Sequence, residues 1–248
     1  MSESNESFSL SDPQACTAVI LAGGLGTRLR SVVNDRPKVL AEVQERPFLA
    51  YLLQQLARSG IKNTVLCTGY MGEQVKIAFG DACGSMRLLY SQETSQLDTA
   101  GALRLALPLI QSSSVLVMNG DSFCDANLGE FWAWREGKGA EVAILLTQVS
   151  DTRRYGRVQV DADGRVLKFE EKGGTERSGW INAGIYLLDR SLLLTIPEGI
   201  PVSLEREMFP AWIERWLYGY GNQGRFLDIG TPESYAVAEI FFRGVKSN

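Results

Sequence analysis

The chain has 248 residues, of which 45% are hydrophobic and 22% charged, and a formal net charge of −4. That is enough for one large α/β domain, or one domain with a small appendage, of ordinary globular composition. The acidic balance excludes a general nucleic-acid binder, no apolar run is long enough to span a membrane, and the N-terminus lacks the basic-then-apolar order of a signal peptide. The expected location is therefore cytoplasmic. The four cysteines, Cys16, Cys67, Cys83 and Cys124, show no C-x-x-C spacing, so neither zinc nor a redox pair is indicated. There is no histidine. This removes Ser-His-Asp and Cys-His catalysis and every histidine-ligated metal, and leaves carboxylates, lysine, arginine and backbone to carry any chemistry.

Taken in order, Met1 to Gln14 is serine-rich, polar and acidic, and residues 1–16 read as a disordered leader. Ala18-Val19-Ile20-Leu21 is a short apolar run with the β-branched content of a strand buried on both faces. Gly23, Gly24 and Gly26 follow it. Pro47 to Arg58 reads as a helix with Pro at its start, Gly60 after its end, and an apolar face of Phe48, Leu49, Leu52, Leu53 and Leu56. Asn63 to Thr68 is a second strand, followed by Gly69-Tyr70 and a short helix from Gly72 to Phe79. Met86 to Tyr90 is a third strand. Thr99 is expected to cap a helix from Ala100 to Leu107, with Pro108 near its end. Val115 to Met118 is a fourth strand, ending at Asn119-Gly120-Asp121. Strands separated by helices imply βαβ units and a Rossmann-like, doubly wound, mainly parallel sheet. Ligands in such sheets sit at the carboxyl ends of the strands, so the glycine loop and Asp121 should share one crevice.

The second half is richer in strands. Glu141 to Val149 is one, Gly156 to Asp161 and Arg165 to Glu170 form a hairpin, and Trp180 to Leu188 is another. Glu205 to Trp216 mixes short helix with loop, Arg225 to Ile229 is a last strand, and Pro232 to Arg243 a closing helix. Residues 17–248 thus read as one domain, with a half over 17–125 and a half over 126–248. The latter is expected to add a small β-rich part that builds a substrate subsite at the edge of the first.

The glycine loop is the strongest signal. Glycine tolerates positive φ, so the chain can turn sharply and aim N–H groups at an anion. Thr27, Arg28, Arg30 and Lys38 add a hydroxyl and three positive charges, which suits a triphosphate. The dinucleotide spelling G-x-G-x-x-G fails against G-G-x-G-T-R, and Thr27 holds the place where a P-loop has its lysine. Asp121 closes an apolar run, and Asp228 in Phe226-Leu-Asp-Ile-Gly230 repeats that arrangement far downstream. Two carboxylates with triphosphate oxygens are what Mg²⁺ accepts, although either aspartate alone also reads as a turn or capping residue. Phe169-Glu-Glu-Lys172, out of context, is a solvated charge run.

Leu21-Ala-Gly-Gly-Leu-Gly-Thr-Arg-Leu29 followed by Pro37-Lys38 closely resembles the signature of the sugar-phosphate nucleotidyltransferases. The resemblance continues in the family's order almost to the end of the chain. It implies that Leu21, Ala22, Gly23, Gly24, Gly26 and Thr27 hold the nucleotide, with Gly69 and Gly120 beside them. Arg28 would support the departing pyrophosphate, Lys38 would sit beside the α-phosphate, and Asp121 and Asp228 would bind Mg²⁺. Leu97-Asp-Thr-Ala-Gly101 resembles the family's L-G-T-A-G segment, which contacts base and ribose through positions that are Asp98 and Thr99 here. Asp98 replaces a glycine, and its carboxylate either faces solvent or accepts hydrogen bonds from guanine. Tyr155-Gly156, Glu170, Lys172 and Asn182-Ala-Gly184 resemble the sugar-binding series. There Glu170 and Asn182 would hold sugar hydroxyls, Gly156 would offer its backbone, and Lys172 would bind the sugar's phosphate.

Within the family, Gly24 to Lys38 looks most like the D-glycero-α-D-manno-heptose 1-phosphate guanylyltransferases. Ser31-Val32-Val33 stands where mannose 1-phosphate guanylyltransferases more usually have P-L-T. The implied reaction joins GTP and a heptose 1-phosphate into GDP-heptose and pyrophosphate. Transfer to mannose or glucose 1-phosphate with another nucleotide, and a non-catalytic nucleotide-sugar sensor, are the alternatives. The implied partners are small molecules only, in a monomer or homodimer. The attacking phosphate is already an anion, so no general base is needed. Catalysis must instead cancel the repulsion between two anions, through Mg²⁺, Arg28, Lys38 and Lys172.

Overall fold

In the computed structural model, which describes residues 15–170, 177–215 and 217–243, strands and helices alternate through the first half as expected. The order is β1 (Cys16–Ala22), β2 (Glu42–Val43), β3 (Arg46–Pro47), α1 (Phe48–Arg58), β4 (Asn63–Thr68), α2 (Gly72–Phe79), β5 (Ala82–Cys83), β6 (Met86–Gln92), α3 (Asp98–Ala106) and β7 (Ser114–Asn119). Then come β8 (Ser122–Cys124), α4 (Leu128–Lys138), β9 (Val142–Val149), β10 (Arg157–Val160), β11 (Val166–Glu170) and β12 (Gly179–Asp189). The chain continues with α5 (Arg190–Leu193), α6 (Phe209–Trp212), β13 (Leu217–Asn222), β14 (Phe226–Asp228) and α7 (Pro232–Phe241).

Eight strands form one sheet in the order β13-β9-β12-β7-β1-β4-β6-β5. β1 runs parallel to both β4 and β7, with Ile20 opposite Leu66 and Met118. β12 is the antiparallel intruder, pairing with β7 on one side and β9 on the other. Successive residues of a strand face opposite ways, so Ile20 joins one core with Leu52 of α1, while Val19 joins the other with Leu103 of α3. Helices on both faces make the sheet doubly wound. This explains why β1 and β7 are uninterrupted apolar runs rather than alternating ones. α1 ends where expected, with Gly60 at φ 84 just beyond it. Cys16, Cys67 and Cys124 are buried free thiols, and burial pushes each up to about 12. Among the described residues, no helix is long and apolar enough to cross a membrane.

The structure refines the sequence reading in four places. Cys16, assigned to the leader, is the first residue of β1 and is buried together with Ala15; residues 1–14 lie outside the described residues. The strands of the second half extend the first sheet at its β7 edge, where β12, β9 and β13 continue it directly. The middle residues of β12 and β9 are buried on both faces and so demand interior positions. The β10–β11 hairpin stands apart as a two-stranded sheet of its own, as do the β14–β8 and β2–β3 pairs. Thr99 does not cap α3, which begins one residue earlier with Leu97 at the cap position. Finally, α4 and β13 escaped the sequence reading. The first is marked by Asn127, whose side chain accepts from the Gly129 and Glu130 N–H groups, and by the spacing of Leu128, Phe131 and Trp132. The second is hidden by Gly219 and Gly221, which break the apolar pattern to make room for Leu146 and Trp180.

Candidate active site

Three strand ends converge with almost no room between them. A Cβ on Gly69, after β4, would lie 2.6 Å from Glu93 Oε1 and 2.8 Å from the Gly23 carbonyl oxygen. One on Gly120, after β7, would lie 2.6 Å from the Leu21 carbonyl oxygen, which accepts the Gly120 N–H at 2.9 Å. Backbone approaches of this kind admit only glycine. Gly26, at φ 60, then turns the loop into a short 3-10 segment over Thr27–Leu29. The result is a cleft of about 240 Å³. Leu21, Ala22, Gly23, Gly24, Gly26, Lys38, Asp98, Thr99, Gly120 and Asp121 all line it, as the sequence predicts. Thr27 and Gly69 sit beside the cleft rather than on its wall.

The sequence reading missed Glu93, Gln96 and Asn119, which line the same cleft. Glu93 follows the carboxyl end of β6, the position where a parallel sheet places ligand contacts, and that was the available signal. Burial raises its carboxyl above the usual range, opposed by the Leu97 N–H that donates to Oε2 at 3.0 Å and helped by the charge of Asp98. Asp98 takes a left-handed backbone, φ 59, which explains why a glycine suits this position. Its carboxylate has partners within the protein: Oδ1 accepts the Thr99 N–H at 2.8 Å, and Oδ2 pairs with Arg206 Nη2 at 2.5 Å.

Lys38 and Asp121 are charged groups of the cleft wall. Lys38 Nζ lies 2.6 Å from Asp121 Oδ2, with the lysine side chain 12% exposed and the aspartate 40%. Short strand β14 pairs antiparallel with β8, setting Asp228 opposite Ser122. The next residue, Ile229, donates its N–H to the Asp121 carbonyl at 2.8 Å. The backbones around two aspartates far apart in sequence are thus brought side by side. Asp228 accepts from the Tyr155 hydroxyl at 2.6 Å, from Arg154 Nη2 at 3.2 and 3.3 Å, and from the Gly230 N–H at 2.9 Å. Burial, reinforced by this hydrogen bond to a carboxylate, pushes the Tyr155 phenol well above its ordinary range. Arg28 reaches the same turn: a Cβ on Gly230 would lie 3.4 Å from Arg28 Nη2. Asp121 and Asp228 are hard carboxylate donors of the kind Mg²⁺ accepts, and among the described residues no group of three or more His, Cys, Asp or Glu is placed to hold a metal.

The expected sugar-side residues are less unified. Gly156, at φ 75, closes the loop that carries Arg154 and Tyr155 to Asp228. Asn182 sits at an irregularity of β12, where its Oδ1 accepts the Gly184 N–H at 2.8 Å and its Nδ2 donates to the Tyr186 hydroxyl at 3.0 Å. A Cβ on Gly184 would lie 2.6 Å from Ser122 Oγ and 3.0 Å from Asn119 Cβ, so Asn182-Ala-Gly184 abuts Asn119-Gly-Asp121. Glu170 stands off on the hairpin, where Gln159 and Arg177 donate to its carboxylate and Arg157 Nη1 lies 3.9 Å away. Lys172 lies outside the described residues.

A doubly wound sheet whose glycine-walled cleft carries a lysine–aspartate pair at the carboxyl ends of its strands has the build of a nucleotide-binding fold. Residues 17–243 match the nucleotidyl transferase family, and the chain belongs to it. It is 32% identical over 223 residues to the D-glycero-α-D-manno-heptose 1-phosphate guanylyltransferase of Aneurinibacillus thermoaerophilus, covering 90% of this chain and 96% of that protein. It is 34% identical over 222 residues to the mannose-1-phosphate guanylyltransferase of Mycobacterium tuberculosis, covering 88% of this chain but only 62% of that longer protein. The crystal structure of HddC from Yersinia pseudotuberculosis complexed with GMP-PN superposes with a TM-score of 0.81 at 30% identity, over 91% of this chain and 99% of that one.

Proposed function

We propose that the protein is a sugar 1-phosphate guanylyltransferase that joins GTP and D-glycero-α-D-manno-heptose 1-phosphate into GDP-heptose and pyrophosphate. We place the reaction in the cytoplasm, where nucleoside triphosphates are abundant. The observation that supports the reading is the β8–β14 ladder, which brings the backbone around Asp228 next to that of Asp121, the cleft residue that pairs with Lys38. The heptose assignment rests on Ser31-Val32-Val33 and on the 32% identity to the heptose enzyme.

In this reading the N–H groups of Gly23, Gly24 and Gly26 cradle the triphosphate, with Leu21, Ala22, Thr27, Gly69, Thr99 and Gly120 shaping the space around it. Lys38 releases Asp121 to lie beside the α-phosphate, and Arg28 receives charge as pyrophosphate departs. Asp121 and Asp228 would hold Mg²⁺, which would supply the remaining neutralisation of phosphate charge. Gly156, Glu170, Lys172 and Asn182 orient the sugar phosphate so that its oxygen attacks in line. Asp98 acts on the backbone here, shaping the turn into α3, rather than on guanine.

The test is a grid of nucleoside triphosphates against sugar 1-phosphates, scored by pyrophosphate release with and without Mg²⁺. GTP with the heptose 1-phosphate should give the highest kcat/KM. Mannose 1-phosphate in first place would select the second reading, which the 34% identity to the mannose enzyme favours. Binding without turnover anywhere on the grid would leave a nucleotide-sugar sensor.

A further inference from the structure

We propose that Glu205 is a positioning residue that fixes, through the buried Tyr186 hydroxyl, which face Asn119 and Asn182 turn toward the bound substrates. The inference rests on the proposed function for the identity of those substrates, and adds residues that neither the sequence motifs nor the cleft's charged groups identify.

Glu205 lies in a π-turn over Leu204–Met208, a rare local geometry that recurs at functional sites. The segment leading into this turn is stitched to the first turn of α3. The Ala100 N–H donates to the Val202 carbonyl at 2.9 Å, and the Leu204 N–H donates to Thr99 Oγ1 at 2.8 Å. Thr99 therefore points its own proton at Glu205 Oε2, 2.9 Å away. The other oxygen, Oε1, faces the Tyr186 hydroxyl at 3.2 Å.

An ionised carboxylate only accepts, so the single proton of Tyr186 must be spent on Glu205. The phenol oxygen is then an acceptor for everything else around it. Asn182 Nδ2 lies 3.0 Å from it and Asn119 Nδ2 3.4 Å. Turning either amide over would set a carbonyl oxygen against a phenol oxygen with no proton between them. Glu205 thus dictates both amides from two residues away. For Asn182 the consequence is internal, since its Oδ1 holds the Gly184 N–H that shapes the irregularity of β12. For Asn119 it is external. Its Oδ1 is buried and has no hydrogen-bond partner among the described residues, and the residue lines the cleft where the Asn182-Ala-Gly184 segment abuts it. A buried, fixed acceptor awaits a donor, and the donors that both substrates offer are hydroxyls. Asn119 is therefore the acceptor for one substrate hydroxyl, and Glu205 with Tyr186 keeps it an acceptor.

A purely structural network would hold the sheet together and leave hydroxyl recognition alone. The two are separated by titration calorimetry on the full chain with GTP, 2′-deoxy-GTP, the sugar 1-phosphate preferred in the grid and its 2-deoxy form. Dissociation constants can be read whether or not the protein turns over, so wild-type turnover tests the proposed function and the deoxy ratios test the relay. The wild type should favour one hydroxyl parent over its deoxy analogue by at least tenfold. Asn119→Ala, Tyr186→Phe and Glu205→Gln should each bring that ratio to within threefold of unity, with the melting temperature of Glu205→Gln close to wild type. The double variant Tyr186→Phe/Glu205→Gln should be no worse than either single one. Should Tyr186→Phe not fold, half-exposed Glu205→Gln carries the test. A wild type that ignores both deoxy changes, or a folded Glu205→Gln that keeps the wild-type ratios, overturns the proposal.

Discussion

The two sides of the active-site region are built in different ways. On the nucleotide side, β1, β4 and β7 end in glycines whose missing side chains let backbone meet backbone, with the Leu21 and Gly23 carbonyls filling the space a Cβ would need. On the hairpin side, Glu170 is held by side chains alone, and one of them, Arg177, is 48% exposed. The first surface is a rigid mould whose shape belongs to the fold itself. The second is a set of adjustable charged groups. Substitutions on the two sides should therefore fail differently, the first in binding together with stability, the second in recognition of one substrate only.

The largest effect is expected at the junction of the two sides. Lys38→Ala should lower kcat by roughly a hundredfold or more, about 3 kcal/mol, which is typical for loss of one preorganised donor. Its melting temperature should stay near wild type, because the abandoned Asp121 carboxylate keeps its access to solvent. A Lys38→Ala variant with normal kcat would remove the lysine from the chemistry. Next comes Gly69→Ala, where the added methyl meets a backbone carbonyl that cannot step aside. Overpacking of this kind costs about 1–3 kcal/mol. Nucleotide affinity should fall by roughly tenfold, and the melting temperature should fall with it. Weakened binding at an unchanged melting temperature would mean the mould is softer than its geometry indicates.

How much of this was legible in the sequence follows the same division. β4 and α2 were readable to the residue, because apolar runs closed by glycine are local signals. The glycine loop and Asp121 were readable because each stands next to the strand that positions it, whereas the place of Lys38, in a 3-10 turn after Pro37, was readable only through the family resemblance. Asp228 was readable as a repeat of Asp121, yet its placement beside Asp121 depends on a three-residue strand, β14, pairing with another, β8. Such short strands carry almost no periodicity. Tyr155 and Arg154, which hold Asp228, are brought there by a loop, and no spacing in the sequence announces that contact. The chain's β-rich second half was legible as strands but not as part of the first sheet. Whether a strand lies inside a sheet or at its edge depends on burial of both faces, which emerges only when helices from elsewhere cover them. Asp98 shows the converse. A residue that departs from the resembling pattern invited a role at the base, whereas the structure gives its carboxylate to Arg206 and its own helix.

On the hairpin side, Glu170→Gln should raise KM for the sugar 1-phosphate about fivefold, the order of 1 kcal/mol expected for a weakened polar contact. KM for the nucleotide and the melting temperature should not move. If the nucleotide's KM rises equally, the two sides are not independent and the comparison fails.

The smallest effect sharpens the rigid side. Glu93 sits where Gly23 and Gly69 leave no room for a side chain of their own, and its native pKa lies above the ordinary 4.5 because burial disfavours its charge. The unfolded chain ionises at the lower, ordinary value. The native state therefore holds its proton more tightly, and this group's favourable contribution is full in acid and is lost as pH rises through the native pKa. Glu93→Gln keeps an acceptor for the Leu97 N–H and cannot ionise. Measured against wild type by thermal denaturation, it should show no advantage near pH 4.5, and a small one, a degree or two, by pH 7 to 8. An advantage that is constant across this range would have its origin in packing. One that shrinks as pH rises would show that the Leu97 contact, and not burial, governs the Glu93 carboxylate.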